Sequence, residues 1–247
     1  MLTPPRRRGI EFLDEPDVDP VVRRHAQSDI ARSNRLLGGL RAVVVELRKT
    51  IAGIDGAPTL LDVGTGLADI PERATTVAAA AGVTLTTIGV DAAPSLLVAA
   101  RGCMTYGVCA SAFALPFRDH SIDIVMCSQL LHHFDWPDAE RLVREANRVA
   151  RHAVIVSDLR RSWVAAAGFW IVAVALRFHP VTQHDGVVSV LRGFTAGELR
   201  RLVARATGAA PTVRRRLGYR LTVRWTPRVA TAAGTAGLPS PAVAGST

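Results

Sequence analysis

Short β-prone apolar runs alternate with helical segments over the middle of this 247-residue chain, and this order constrains the fold more than any other feature. The apolar runs cover 59–63, 84–90, 106–110, 122–127 and 153–156. The helical segments between them cover 70–81, 94–101 and 137–150. Strands that alternate with helices of this length form parallel sheets with helices on both faces. We therefore predict an α/β fold with a doubly wound, mostly parallel sheet.

Two more helices are expected before the first strand. Asp19 followed by Pro20 favours a helix start, because the aspartate oxygen caps the first turn and proline lacks only an N–H that would have no partner there. That helix is predicted to run to Leu37, where Gly38 and Gly39 end it. A second helix follows, and its apolar face consists of Leu40, Val43, Val44, Leu47 and Ile51. Residues 1–52 are thus interpreted as an irregular segment and a helical cap.

The C-terminal part begins with an uncharged apolar run, 163–176, which is flanked by Arg160, Arg161 and Arg177. Because a membrane-spanning helix needs about twenty apolar residues, we expect this run to be a buried helix, an interfacial helix or part of a pocket wall. Thr195 and Glu198 then have the spacing of a capping box, which predicts a helix through 206.

The last strand is predicted from strict alternation. The apolar members are Leu217, Tyr219, Leu221, Val223 and Trp225. This period indicates a half-buried strand whose solvent face carries Arg220 and Arg224. Residues 226–247 consist mainly of Ala, Gly, Pro, Ser and Thr, so we predict a disordered tail. The predicted organisation is 1–52, a domain over 53–225, and the tail 226–247.

The net charge of +9 raises the question of a nucleic-acid or anionic membrane partner. Lys49 is the only lysine, so arginine carries this charge, and compositional bias toward arginine and alanine accounts for it equally well. Three cysteines without CxxC spacing exclude a disulfide scaffold and favour a reducing compartment. The arginines at 6–8 are followed by acidic residues, which is not the pattern of a signal peptide. We expect a cytoplasmic protein, and membrane contact through 160–178 stays open.

A glycine loop follows the first predicted strand and precedes a helix, where ligands of open parallel sheets bind. Its sequence is Asp62-Val63-Gly64-Thr65-Gly66-Leu67-Ala68-Asp69. The dinucleotide fingerprint requires glycine at the position of Asp69, and a carboxylate there repels a pyrophosphate. A Walker lysine is also missing. The loop therefore favours a ligand with positive charge and no phosphate, such as S-adenosylmethionine (SAM).

A second acidic residue supports this interpretation. Asp91 ends the second predicted strand, about 25 residues after the loop, where a carboxylate accepts hydrogen bonds from both ribose hydroxyls. The alternative is that Asp91 only caps the next helix.

These residues and several later motifs resemble the class I SAM-dependent methyltransferases of small molecules, which include ubiquinone and menaquinone C-methyltransferases and natural-product O-methyltransferases. The matching stretches are Leu61-Asp62-Val63-Gly64-Thr65-Gly66, Gly89-Val90-Asp91, Ala114-Leu115-Pro116-Phe117, Ser121-Ile122-Asp123-Ile124-Val125 and Leu130-Leu131-His132-His133-Phe134. The resemblance covers about 57–160. It implies a Rossmann-like sheet of seven strands that ends in an antiparallel strand, and SAM as the cofactor.

The resemblance also suggests the site residues. The expected cofactor contacts are Asp62, Gly64, Thr65, Gly66, Asp91, Ala92, Ser111, Ala112, Ser128 and Gln129. By this analogy Asp62 lies near the cofactor's ammonium group, and Ser128 or Gln129 lies under its methionine end. Two positions depart from the family pattern: Ala68 replaces the third loop glycine, and Ser111 replaces an acidic residue that contacts adenine. Asn34 or Arg35 is expected to face the same site.

Methyl transfer to oxygen benefits from a general base, because the acceptor must lose a proton. His132 and His133 follow the fourth strand, and Asp158 ends the fifth, so all three are predicted at the carboxyl edge of the sheet. A carboxylate there orients a histidine and stabilises its charged form. The alternative is that the histidines and Asp158 are structural. His184-Asp185 is a second candidate site, for which a loop contact is the simpler explanation.

The expected activity is methyl transfer to an oxygen, or a carbon, of a lipophilic small molecule such as a phenolic, polyketide-like or quinol-like compound. Aromatic residues in or near the apolar segments favour such an acceptor: Phe134, Trp136, Trp163, Phe169 and Trp170. Metal-ligand spacing is absent from the sequence, so a magnesium mechanism is not expected. A nucleic-acid methyltransferase and a non-catalytic SAM-binding module are the alternatives; no nucleic-acid motif supports the first.

Overall fold

The computed structural model describes residues 3–227 except Arg8, Ile10 and Pro16, and leaves the side chain of Asp14 undescribed. Beyond residue 227, the tail that the sequence predicts to be disordered lies outside the described residues. Eight α-helices are described: α1 (Pro20–Leu36), α2 (Gly39–Ile51), α3 (Asp69–Ala79), α4 (Pro94–Ala99), α5 (Trp136–Val149), α6 (Trp163–Ala175), α7 (Pro180–Arg192) and α8 (Ala196–Thr207). The seven strands are β1 (Thr59–Val63), β2 (Thr86–Asp91), β3 (Tyr106–Cys109), β4 (Ile122–Ser128), β5 (Ala150–Leu159), β6 (Thr212–Arg216) and β7 (Arg220–Trp225).

The strands form one sheet in the order β3-β2-β1-β4-β5-β7-β6. Strands β1 to β5 are parallel, whereas β7 lies antiparallel to both β5 and β6. The predicted fold class, a Rossmann-like and mostly parallel sheet of seven strands, is confirmed. The order reverses beside β1, and ligands of such sheets bind at this switch point beyond the carboxyl ends of the strands.

Both faces of the sheet are apolar because helices cover both. In β1, Leu61 packs with α5 and α8, while the adjacent Leu60 packs with α2 and α3. The side chains Val43, Leu47 and Ile51 of α2 belong to this second layer. The N-terminal helix α2 therefore packs directly against the sheet and carries α1 to its carboxyl edge.

Local signals explain most of the helix ends. The side chain of Asp19 accepts hydrogen bonds from two N–H groups of α1, and Pro20 is its first residue. Gly38, at φ 77°, follows α1 in the left-handed conformation that favours glycine. The predicted capping box of Thr195 and Glu198 is present at the start of α8.

The C-terminal strand differs from its prediction. Residues 217–219 form a turn between β6 and β7, and Leu217 is exposed. Gly218 lies so close to α1 that a Cβ atom there would sit 1.7 Å from the carbonyl oxygen of Leu37. The alternation of apolar and polar residues predicted one solvent-exposed face, but β7 is buried on both faces. Arg220, expected on the solvent face, is buried at the carboxyl edge.

Helix α7 is absent from the sequence prediction, which placed His184 and Asp185 in a loop. Both residues lie within α7, and His179 and Pro180 begin it. The buried carboxylate of Asp185 accepts hydrogen bonds from the N–H groups of Phe12 and Leu13, each at 3.0 Å. Asp185 therefore fastens the N-terminal segment to the domain. Among the helices described in 3–227, none has the length and apolar character that crossing a bilayer requires.

Candidate active site

A cavity of about 810 Å³ opens at the carboxyl edge of the sheet. Its floor is formed by the loops after β1, β2 and β4, and its walls by α1, α7 and the N-terminal segment. Seven predicted cofactor residues line it: Gly64, Thr65, Gly66, Asp91, Ala92, Ser128 and Gln129. His132, His133 and Asn34 line it as well, whereas Arg35 is exposed and does not.

The glycine loop turns tightly into α3. The N–H groups of Gly64 and Thr65 both donate to the carbonyl of Val90, which ties the loop to β2. Gly64 has φ 72°, and a Cβ atom there would lie 2.9 Å from the side chain of Leu130. Ala68 has φ 58°, the left-handed region where glycine is favoured. At the position where the family has its third loop glycine, Ala68 therefore adopts a left-handed backbone conformation that is strained for alanine.

Asp62 lies beneath this loop, behind the cavity wall. Its Oδ2 accepts a hydrogen bond from the hydroxyl of Thr65 at 2.9 Å, and its buried Oδ1 has no partner among the described residues. Burial raises the pKa of Asp62 to about 8, and the nearby charges of Asp69 and Asp91 act in the same direction. A positively charged ligand group beside Oδ1 would favour the ionised carboxylate.

Asp91, at the end of β2, is held by two backbone groups. Its Oδ2 accepts the N–H of Gly66, and its Oδ1 accepts the N–H of Ala93, each at 2.9 Å. The second contact is an Asx turn before α4, whose N-cap residue is Ala93, so the capping role that the sequence left open for Asp91 is not observed. The first contact joins the glycine loop to β2. Each oxygen retains a lone pair for a ribose hydroxyl.

Gln129, Asn34 and Arg220 form a polar cluster on the opposite wall. Gln129 has φ 52°, so its backbone is strained where the chain leaves β4. Its Nε2 donates to Oδ1 of Asn34 at 2.5 Å, and its Oε1 accepts from Nη1 of Arg220 at 2.6 Å. Nε of Arg220 has no partner among the described residues. Burial lowers the pKa of Arg220 to about 10, so its guanidinium remains charged at neutral pH.

His132 and Asp158 form the dyad that the sequence suggested. His132 lies in a short 3₁₀ turn, Leu131–His133, and its Nδ1 is 2.6 Å from Oδ1 of Asp158. Oδ2 of Asp158 accepts the backbone N–H of His132 at 3.0 Å. Burial acts to raise the pKa of Asp158, but the charge and hydrogen bond of His132 outweigh it and lower that pKa below its usual value. Asp158 is therefore an ionised carboxylate behind the histidine.

Glu11 reaches the two histidines from the N-terminal segment. Its oxygens lie 3.9 Å from Nε2 of His132 and 3.7 Å from Nδ1 of His133. Nη1 of Arg192 lies 3.3 Å from the same carboxylate. Ligand atoms of Glu11, His132 and His133 lie within 4.8 Å of one another, so this trio has the composition of a divalent-cation site. The guanidinium of Arg192 already places a positive charge there.

Arginines hold the N-terminal segment over the cavity. Nη2 of Arg6 donates to the carbonyls of His132 and Phe134, at 3.2 and 2.7 Å. Nε of Arg161 donates to the carbonyl of Pro4 at 2.8 Å. Together with Asp185, these contacts place Glu11 beside the dyad.

The structure separates some predicted residues from the cavity and adds others. Ser111 and Ala112 are not among the cavity-lining residues; the hydroxyl of Ser111 instead accepts the N–H of Phe113 at 3.2 Å. Glu11 and Arg220 were not predicted as site residues. No motif marks Glu11, which is over a hundred positions from the histidines, and alternation placed Arg220 on the wrong face.

Comparisons with known proteins agree with this geometry. Residues 61–156 match the profile of the methyltransferase domain family. The chain resembles a SAM-dependent methyltransferase from Aquifex aeolicus, with a TM-score of 0.57, 16% identity, and coverage of 82% of this chain and 98% of that one. It also resembles magnesium protoporphyrin IX methyltransferase from Synechocystis with bound SAM, with a TM-score of 0.52, 11% identity, and coverage of 88% and 89%.

A third similar structure is an O-methyltransferase family protein from Burkholderia thailandensis, with a TM-score of 0.56 and 15% identity; the match covers 83% of this chain and 61% of that one. At these identities the likeness shows the shared fold. Among curated proteins, none matches the chain.

The cavity residues fit SAM. The oxygens of Asp91 would accept ribose hydroxyls, and the acidic Asp69 disfavours a phosphate at the start of α3. The unpartnered Oδ1 of Asp62, directly behind the glycine loop, would favour a cationic group nearby. The matched domain, the fold and this donor set agree with one another. Residues 61–156 form a methyltransferase domain, and the residues around the cavity fit SAM as its cofactor.

Proposed function

We propose that this enzyme transfers the methyl group to an oxygen of a lipophilic phenol-like or quinol-like small molecule, with His132 as the general base. The observation that carries the proposal is the dyad of His132 and Asp158: His132 lines the same cavity as the glycine loop and Gln129, and the fully buried Asp158 lies behind it. A buried histidine held by an ionised carboxylate has the geometry of a proton acceptor.

In the neutral tautomer whose Nδ1 donates to Asp158, the lone pair of the imidazole is on Nε2. SAM, when bound, supplies a methyl group on a sulfonium, which keeps the electron pair of the broken carbon–sulfur bond. As the acceptor oxygen bonds to the methyl carbon, Nε2 of His132 takes the hydroxyl proton. The ionised Asp158 and Glu11 then stabilise the imidazolium that forms.

The remaining wall supports an apolar acceptor. The cavity carries aliphatic and aromatic side chains from five separate parts of the chain, including Leu13, Ile30, Phe134, Phe169 and Val190. Small-molecule sites combine such apolar walls with a few polar groups that set orientation. The polar groups near the dyad are the Glu11–Arg192 pair and His133, which suit a hydroxyl on an otherwise apolar compound.

The test uses purified enzyme, labelled SAM, and a panel of alkylphenols and alkylated hydroquinones. We expect His132→Asn to lower kcat by about 10²- to 10⁴-fold, the usual contribution of a general base, while the Kd for SAM stays within about twofold. Asp158→Asn should also lower kcat. Mass spectrometry of the products distinguishes O-methylation from C-methylation.

The chain offers a matched control. The half-exposed side chain of His152 lies 3.6 Å from the buried Asp123 at the opposite edge of the sheet, so His152→Gln should leave kcat unchanged. An equal loss in both variants would assign the effect to folding. Full activity in His132→Asn would remove it as the base. Tight SAM binding without turnover on any compound would favour the non-catalytic alternative.

A further inference from the structure

Helix α6 presents an apolar face to solvent. Its side chains Trp163, Val164, Trp170, Ile171 and Val174 are 46%, 51%, 53%, 60% and 44% exposed. Their spacing of about three, four and seven residues places them on one side of the helix. The opposite side is buried through Ala165, Ala166 and Ala173. No charged residue interrupts the 13 residues of α6.

The sequence around this helix is poor in carboxylates. From 159 to 197 the sequence contains a single carboxylate, Asp185, which is buried. Exposed arginines lie at both ends of the helix: Arg177 follows it, and the guanidinium of Arg7 lies 5.3 Å from the ring of Trp163. An apolar stripe with tryptophans and flanking cations matches the interface of a bilayer that contains anionic lipids.

The same helix reaches the active site. Phe169 lines the catalytic cavity, and the next residue, Trp170, lines a separate groove of about 750 Å³. This outer groove lies along α7, with Arg7, Val187, Val188 and Leu191 in its wall. Helix α6 thus contributes one aromatic side chain to the catalytic cavity and the next one to the outer groove.

We propose that the exposed face of α6, together with Arg7 and Arg177, docks on the surface of an anionic phospholipid membrane. The helix lies along that surface, with Trp163 and Trp170 at the level of the headgroups, and the docked face places the outer groove against the lipid. The flanking arginines are complementary in charge to an anionic surface. The stripe of exposed apolar residues along a single helix favours a membrane over an acidic protein partner.

The experiment uses the full chain and two kinds of vesicle, one of phosphatidylcholine alone and one that mixes phosphatidylcholine with phosphatidylglycerol. We expect co-sedimentation with the mixed vesicles and a blue shift of tryptophan emission. Ile171→Glu should weaken this binding by at least about tenfold, because burial of one aliphatic side chain contributes that factor. Val98→Glu on α4 is the matched control, since Val98 is also 60% exposed, and it should bind as the wild type does.

Binding by Ile171→Glu equal to that of the wild type, or no binding of the wild type to mixed vesicles, would overturn the proposal. So would a dimer in solution that Ile171→Glu dissociates without any vesicle binding, because a second copy would then cover the face. The vesicle experiment needs neither cofactor nor acceptor. Its failure is therefore separate from a failure of the proposed activity.

Discussion

Three carboxylates near the carboxyl edge of the sheet differ in what their oxygens meet. Asp158 faces a histidine, and the pKa of its carboxyl is lowered; Asp62 faces mainly apolar surroundings, and burial raises its pKa to about 8. Asp91 accepts two backbone N–H groups. Aspartate thus has three roles at the ends of three strands. Asp158 orients His132, Asp62 has an oxygen that can face a cation, and Asp91 holds the glycine loop.

The state of Asp62 predicts a pH dependence of stability. The unfolded chain loses this proton at the ordinary carboxyl pKa, near 4, whereas the folded chain keeps it up to about 8. Between these values the folded state binds the extra proton, so its free energy of unfolding falls as the pH rises. In Asp62→Asn this fall should be smaller. Urea unfolding at pH 6 and pH 8.5 measures the difference.

Asp138→Asn, which changes an exposed carboxylate of α5, serves as the control and should follow the wild type. SAM binding adds a second readout, because a cationic group beside Asp62 favours the ionised form and releases a proton. We expect weaker SAM binding in Asp62→Asn and tighter binding by the wild type as the pH rises toward 8. Identical pH profiles in the two proteins would contradict the assignment.

At the scale of elements, α6 and α7 pack through one glycine. A Cβ atom on Gly186 would lie 2.0 Å from the ring of Phe169, which lines the catalytic cavity. The absence of a side chain at Gly186 therefore lets the ring lie between the two helices. This contact joins α6, whose exposed face is the proposed membrane-docking surface, to the catalytic cavity.

Gly186→Ala should push the Phe169 ring from its position and destabilise the fold by about 1–3 kcal/mol, as overpacking of a tight contact does. The KM for the acceptor should rise, while the Kd for SAM stays unchanged.

Gly168→Ala on α6 is the opposite case, because no atom lies within 4 Å of its Cβ position; it should stabilise the helix by about 0.5–1 kcal/mol. Thermal unfolding and steady-state kinetics test both. If Gly186→Ala changed neither the stability nor the KM for the acceptor, α6 and α7 would have moved apart to accept the added methyl group at no cost.

At the scale of the whole molecule, the predicted cofactor cavity is lined by α1, by the loops after β1 and β2, and by Arg220 of β7. SAM at a hundredfold excess over its Kd should stabilise the folded chain by about 2.7 kcal/mol, which corresponds to a rise in Tm of about 5–10 °C. Asp91→Ala should lose most of this rise, measured against its own Tm without SAM. An equal rise with NADH would contradict the cofactor geometry.

The elements that the sequence predicted well have strong local signals. Asp19 and Pro20 begin α1, Thr195 and Glu198 cap α8, and the central strands are continuous apolar runs. The sequence did not predict α7 because its residues lack the usual amphipathic pattern. Asp185 is buried and binds the N-terminal segment, and Gly186 packs against the ring of Phe169. Its composition is set by tertiary contacts.

The sequence by itself determined the α/β class, the glycine loop with its acidic partner Asp91, and the placement of His132 and Asp158 at one edge, because each follows from local periodicity and strand direction. Only the tertiary structure decided that Arg220 faces the cavity and that Glu11 lies beside the histidines. It alone also showed which side of α6 meets solvent. These outcomes depend on contacts between distant segments, about which local patterns carry no information.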